Sequence, residues 1–146
     1  MDVKVPFSMI VVSKRNIGKS HLTKHLLKMF MVDNKLFNYI VLFSSTAHLS
    51  HDFECLPKKS IQEDFSTAKV NKILDFQKQS KDSKNPKQCL IILDDTIGAK
   101  LDPSFKTNLD ILFSRGRHYN ISIVFISQYI KNYISTTIRN NIDYLL

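Results

Sequence analysis

Glycine is scarce in this chain: 146 residues contain three, Gly18, Gly98 and Gly116. There are no internal repeats and no low-complexity segments, so each glycine is informative by its place. Cysteine is equally sparse. Cys55 and Cys89 stand alone, without CxxC spacing or clustered histidines, which excludes a disulfide framework and a zinc site. No apolar run approaches the roughly 20 residues of a membrane span. Residues 1–6 (MDVKVP) lack the apolar core of a signal peptide, so a setting inside a cell is expected. Acidic residues are the minority, 13 against 21 Lys plus Arg, for a formal net charge of +8. That balance suits a polyanionic partner, because neutralising phosphates releases counterions. The basic residues are spread out, with a local concentration at Lys78, Lys81, Lys84 and Lys87. Residues 80–87 are polar and contain Asn85-Pro86, and read as a solvated loop.

What is present is an alternation of two hydrophobic periods. Strands are predicted near 7–13, 37–43, 88–94 and 121–127, and helices over 18–32, 66–79 and 103–115. Residues 90–93 (LIIL) and 121–126 (ISIVFI) are almost continuously apolar, as central strands buried on both faces should be. The third helix is punctuated by Asp102 as N-cap, Pro103 at its first position and Gly116 past its last turn. Residues 44–65, with Pro57 and two histidines, read as irregular and exposed, and 142–146 as a further strand at the sheet edge or in a shortened chain. The expected architecture is α/β: a single domain over 1–146 with a central, mostly parallel sheet and helices on both faces, large enough to bury roughly 70% of its unfolded surface.

Between the first strand and the first helix lie Ser13, Lys14, Arg15, Asn16, Ile17, Gly18, Lys19 and Ser20. A loop there can aim backbone N–H groups and a helix N-terminus at phosphate, with Lys19 reaching the β- and γ-phosphates and Ser20 ligating Mg²⁺. With His21 following, residues 13–21 form the candidate binding set for ATP. Ser13 stands where the GxxxxGK[ST] pattern has glycine, so the turn is either strained or differently shaped. The strand over 88–94 leads into two carboxylates. Asp94 would hold Mg²⁺ together with Ser20, and Asp95 would orient or deprotonate the attacking water. The strand over 121–127 leads into Gln128, which can hydrogen-bond the γ-phosphate or the lytic water. Arg115, Arg117 and Arg139 are candidates for the positive charge that hydrolysis needs, although helix C-terminal charge explains the first two as well. His118 reads as a packing or surface residue.

Taken together, residues 6–12 (PFSMIVV), SKRNIGKSHL from Ser13, ILDD at 92–95, SRGRHYNISIVFISQ at 114–128 and STTIRNNIDYLL at 135–146 resemble the A32-like genome-packaging ATPases. These are P-loop NTPases of the FtsK-HerA class from large DNA viruses, virophages and Polinton-type elements. The resemblance covers nearly the whole chain, and GRHYNIS leading into a strand that ends in glutamine is its most specific part. It implies a Walker A lysine at Lys19, Mg²⁺ ligation by Ser20 and Asp94, a Walker B partner at Asp95 and a sensor at Gln128. It implies too that Arg139 acts across a subunit interface. The resemblance further implies an ATP-driven hexameric ring that pushes double-stranded DNA into a capsid, with capsid or portal-region proteins as partners, in the virion or the host-cell viral factory. The chain stops where relatives usually continue with further strands. Two other readings remain open at this point: a non-hydrolysing, nucleotide-dependent DNA-binding or assembly protein, and a P-loop kinase, which lacks support from any arginine-rich lid segment.

Overall fold

In the computed structural model, which describes residues 3–12, 19–30, 35–47, 53–94, 103–128 and 134–146, the strands are β1 (Ser8–Val12), β2 (Tyr39–Phe43), β3 (Ile61–Gln62), β4 (Cys89–Asp94), β5 (Ile121–Ser127) and β6 (Tyr144–Leu145). The helices are α1 (Lys19–Lys28), α2 (Thr67–Lys81), α3 (Pro103–Arg115) and α4 (Thr136–Asn141). The strands form one sheet of order β3-β2-β4-β5-β1-β6, and every pairing in it is parallel.

The sequence dictates which strands are central. β4 and β5 are buried at every position, matching their unbroken apolar runs, because helices cover both of their faces. Alternation then divides the core in two. Met9, Val11, Leu42, Leu90, Ile92, Val124 and Ile126 pack against Leu26, Leu27 and Phe30 of the α1 segment. Ile10, Phe43, Ile91, Leu93, Ile123 and Phe125 point the other way, toward Val70 of α2, Phe105 and Leu109 of α3 and Ile138 of α4. The buried residues Thr23, Leu26, Leu27 and Phe30 recur at three- and four-residue steps, which gives α1 one apolar stripe. Each such Leu or Phe contributes roughly 1.5–3 kcal/mol by leaving water.

Right-handed crossovers explain the division of helices. The chain leaves β1 toward β2 in one direction, whereas the steps from β4 to β5 and from β5 to β6 run in the other, so α1 lies on the opposite face from α3 and α4. The direction reverses between β1 and β5. Ligands of open α/β sheets bind at such a reversal, beyond the carboxyl ends of the strands.

Several predicted boundaries move. Helix α2 is N-capped by Ser66, whose hydroxyl accepts from Lys69 N at 3.3 Å, and it continues to Lys81, into the stretch read as loop. The segment 44–65 is not simply exposed: Ala47, Phe53 and Leu56 are buried in the α1-side core, and β3 extends the sheet through the pairs Leu42↔Ile61 and Phe43↔Gln62. Pro103 opens α3 as expected, while Asp102 lies outside the described residues. Gly116 begins a 3-10 turn, Gly116–Tyr119, closed by Asn120 in the left-handed region at φ 58°, a conformation a short polar side chain tolerates. The strand predicted near the end of the sequence is β6, which pairs with β1 at Met9↔Tyr144 and Ile10↔Leu145.

Candidate nucleotide site

Because all strands are parallel, their carboxyl ends share one edge of the sheet. β5 lies between β1 and β4, with Val12 level with Ser127 and Asp94 level with Ile126. Two strand spacings separate the end of β1 from the end of β4, roughly 9.5 Å. The ends of β1 and β4 therefore flank a gap, and Gln128, directly after β5, emerges in its middle. A glutamine placed there can reach groups on either side.

The faces agree as well as the edge. Asp94 follows Leu90 and Ile92 in alternation and so belongs to the α1 side of β4. Helix α1 starts at Lys19, immediately beyond the loop that leaves β1, so its N-terminal N–H groups open on the same edge. Their partial positive charge favours an anion. Ser20 is the second residue of that helix, and His21, in its first turn, is exposed. Residues 13–18 and Asp95 fall outside the described residues, as do the side chains of Lys19 and Ser20.

Asp94 is buried, at 7% exposure, and its Oδ2 accepts a hydrogen bond from Ser44 Oγ at 2.9 Å. Nothing in the sequence alone distinguishes Ser44 from its neighbours Ser45 and Thr46. The available signal was an apolar strand, 39–43, running into Ser44-Ser45-Thr46 at what a parallel sheet makes the same carboxyl edge. Among the described residues no three His, Cys, Asp or Glu side chains cluster as a complete metal cage. The donor set fits Mg²⁺ in its usual mode: one buried carboxylate on the α1 side, a helix-borne hydroxyl residue, and the remaining positions supplied by phosphate and water.

The arginines separate into different places. Arg117 Nη2 lies 2.8 Å from Asp143 Oδ2 and donates to Asn141 O at 3.1 Å. The same Asp143 oxygen accepts from Ser8 N at 2.8 Å. Ser8 opens β1, so this cluster marks the amino edge, about 13–16 Å of strand away from the carboxyl edge. Arg115 ends α3, which returns the chain to that amino edge before β5 begins. Neither Arg115 nor Arg117 can serve the gap in its own chain, because a crossover helix in a parallel sheet ends opposite the edge where it began. Arg139 is exposed on α4, whose last residue Asn141 also accepts from Ser8 Oγ. It too is displaced from its own carboxyl edge. His118 is exposed, in keeping with a surface role.

Two further features lie at the amino edge. A groove of about 440 Å³ is lined by Asn38, Tyr39, Lys72, Ile73, Phe76 and Lys87, at the start of β2 and remote from the gap. Beside it, the buried Gln77 accepts from Tyr39 Oη at 2.5 Å and donates to the carbonyls of Lys87 and Tyr119 at 2.9 and 2.8 Å. Cys89 sits in the same layer with its thiol pushed up to about 12 by burial, and Tyr39 is raised from 10.0, again mainly by burial. Such groups stay protonated and have no evident part in chemistry at neutral pH.

The sheet and its helices match solved P-loop ATPase domains. The chain aligns over 97% of its length with EssC (ATPases 2 and 3) from Geobacillus thermodenitrificans at TM-score 0.62 and 17% identity, covering 32% of that chain. It aligns over 97% with the cytoplasmic domain of EssC at TM-score 0.59 and 18% identity, covering 31% of it. A third match is Thermomonospora curvata EccC (ATPases 2 and 3), solved with a signal sequence peptide: TM-score 0.61, 13% identity, 93% of this chain and 28% of that one. The chain thus spans about a third of the length of these proteins, and at such identities the likeness is one of fold. No curated protein sequence matches it. The sequence profile of the family described as "Poxvirus A32 protein" matches residues 2–146, the whole of β1 to β6 with the site between them, and the chain belongs to that family.

Proposed function

We propose that this chain is a Mg²⁺-dependent ATPase whose hydrolysis drives double-stranded DNA into a viral capsid. The observation that carries the reading is the strand order: β5 is inserted between β1 and β4, which sets Gln128 between the start of α1 and Asp94 at the reversal point of the sheet.

In this reading the loop 13–18 and the N-terminus of α1 bind the triphosphate through backbone N–H groups, with Lys14 and Arg15 adding charge around it and His21 completing the binding set. Lys19 neutralises the β- and γ-phosphates. Ser20 and Asp94 would hold Mg²⁺, which would supply positive charge to offset the negative charge of the phosphates. Asp95 orients the attacking water and accepts its proton, a task worth roughly 10²–10⁴ in rate. Gln128 hydrogen-bonds the γ-phosphate or that water and so registers whether the phosphate is present. The positive charge still required comes from Arg139 of a neighbouring subunit, since Arg115, Arg117 and Arg139 all lie toward the other edge of their own sheet. That requirement makes the active form an oligomeric ring, in virions or viral factories, with capsid or portal-region proteins beside it. The net charge of +8 suits sequence-independent contact with the DNA backbone.

Displacement of a triplex-forming oligonucleotide from linear duplex DNA tests the motor directly. ATP-dependent displacement that Lys19→Ala abolishes is expected. ATP binding without hydrolysis or displacement would instead favour a nucleotide-dependent DNA-binding or assembly protein, and phosphate transfer to a nucleoside would favour a kinase.

A further inference from the structure

The bond between Ser44 and Asp94 joins two elements 50 residues apart, and its direction is fixed by its surroundings. Ser44 is fully buried, and its own amide donates to Gln62 O at 2.9 Å, which ties the residue to β3. Its hydroxyl accepts from Thr46 N at 3.3 Å. With that N–H directed at the hydroxyl oxygen, the hydroxyl proton goes to Asp94 Oδ2 at 2.9 Å. The sheet order fixes the side of approach. β2 flanks β4 on the side away from β5 and β1, so Ser44 grips the carboxylate from behind as seen from the phosphate gap.

A carboxylate at a strand end can turn about its Cβ–Cγ bond, and a hydrated Mg²⁺ demands near-ideal octahedral placement of its ligands. A buried donor that pins one oxygen removes that freedom in advance. We infer that Ser44 is the positioning residue for Asp94: it orients the carboxylate toward Mg²⁺ and thereby sets the affinity of the nucleotide site for the metal. The inference rests on the proposed ATP site and deepens it. Ser44 touches neither substrate nor metal. Partners that orient a metal ligand from behind typically contribute 10–100-fold in metal affinity or activity.

The test is a Mg²⁺ titration of the binding of a fluorescent ATP analogue, which needs no hydrolysis. Ser44→Ala should raise the Mg²⁺ midpoint about tenfold while leaving affinity in EDTA unchanged. Ser44→Thr, which keeps the hydroxyl at a strand end suited to a β-branched residue, should restore the wild-type midpoint. Circular dichroism and the melting temperature report whether each variant is folded. A wild-type midpoint in Ser44→Ala would overturn the inference and leave the ATP site standing. Equal loss of binding with and without Mg²⁺ would overturn it too, by showing a structural role only. If binding to the wild-type chain did not respond to Mg²⁺, the site reading itself would fall, and the Ser44 inference with it.

Discussion

Arg117 and Asp143 form an ion pair of 2.8 Å at the amino edge of the sheet, and through it Arg117 is committed to holding β1, β6 and the end of α4 together. Asp143 Oδ2 receives both the guanidinium and the Ser8 amide, so the two halves of the cluster differ in cost when removed.

Arg117→Ala should be mildly destabilising, by about 0.5–1 kcal/mol, because the pair is partly exposed and screened. Asp143→Ala should be worse, about 1–2 kcal/mol, since the Ser8 amide loses its acceptor. Thermal melting reads both, at about 2–4 °C per kcal/mol for a chain of this size. ATP turnover per folded molecule should be unchanged in Arg117→Ala; a loss of catalysis in a fully folded sample would contradict the placement of this arginine.

Arg139→Ala should behave in the opposite way. It is exposed on a short helix, so stability should barely change, while ATP hydrolysis drops by about 10³ or more. ATP binding should persist. Mixing this variant with Lys19→Ala should recover part of the activity, because an interface can then combine an intact phosphate site from one subunit with an intact arginine from the next. No recovery in mixed samples that co-assemble would count against action across the interface.

The thiols give a readout of the core. Cys55 is exposed and Cys89 is buried, so a thiol reagent should label one cysteine in the native protein and two after unfolding. The pH dependence follows from the raised values of Cys89 and Tyr39. For an acid that ionises less readily when folded, the stabilisation is fully present below the unfolded value and is lost as pH rises through the folded one. For Cys89 that window runs from 9.0 to about 12, and Tyr39 acts in the same direction from 10.0 upward. Urea midpoints should therefore fall above about pH 9, and Cys89→Ala should flatten part of the fall; a midpoint that stays level to pH 11 would exclude the effect.

Gln77→Ala should cost about 1–3 kcal/mol beyond the packing lost, because the carbonyls of Lys87 and Tyr119 and the Tyr39 hydroxyl lose their partner together. Denaturant unfolding measures it. Activity of the folded fraction should be retained, since this network lies at the amino edge.

What could be read from the sequence was set by local signals. β4 and β5 announce themselves through unbroken apolar runs, and α3 through Pro103 and the spacing of Phe105, Leu109, Leu112 and Phe113. The order strand, loop, helix put α1 and its N-terminus in place, and the parallel sheet implied by alternation put Asp94 and Gln128 on one edge. Other features depend on partners distant in the chain. Phe53 and Leu56 are isolated apolar residues in a polar stretch, with no period to mark them as core, and β3 is two residues paired to a strand nearly twenty residues earlier. Ser44 acquires meaning only once β2 is known to neighbour β4. Arg115 and Arg117 sit close in sequence to the strand that leads to Gln128, yet the direction of α3 carries them to the far edge. Sequence proximity to a site misled there because a helix of 13 residues spans about 20 Å.

The most direct test of the central claim is steady-state ATP hydrolysis with Mg²⁺, measured with and without double-stranded DNA. Turnover stimulated by DNA, reduced at least about a hundredfold by Lys19→Ala and by Asp95→Asn, is the predicted result. Equal turnover in the wild-type chain and both variants, or none in a folded, ATP-binding, assembled wild-type sample, would contradict it.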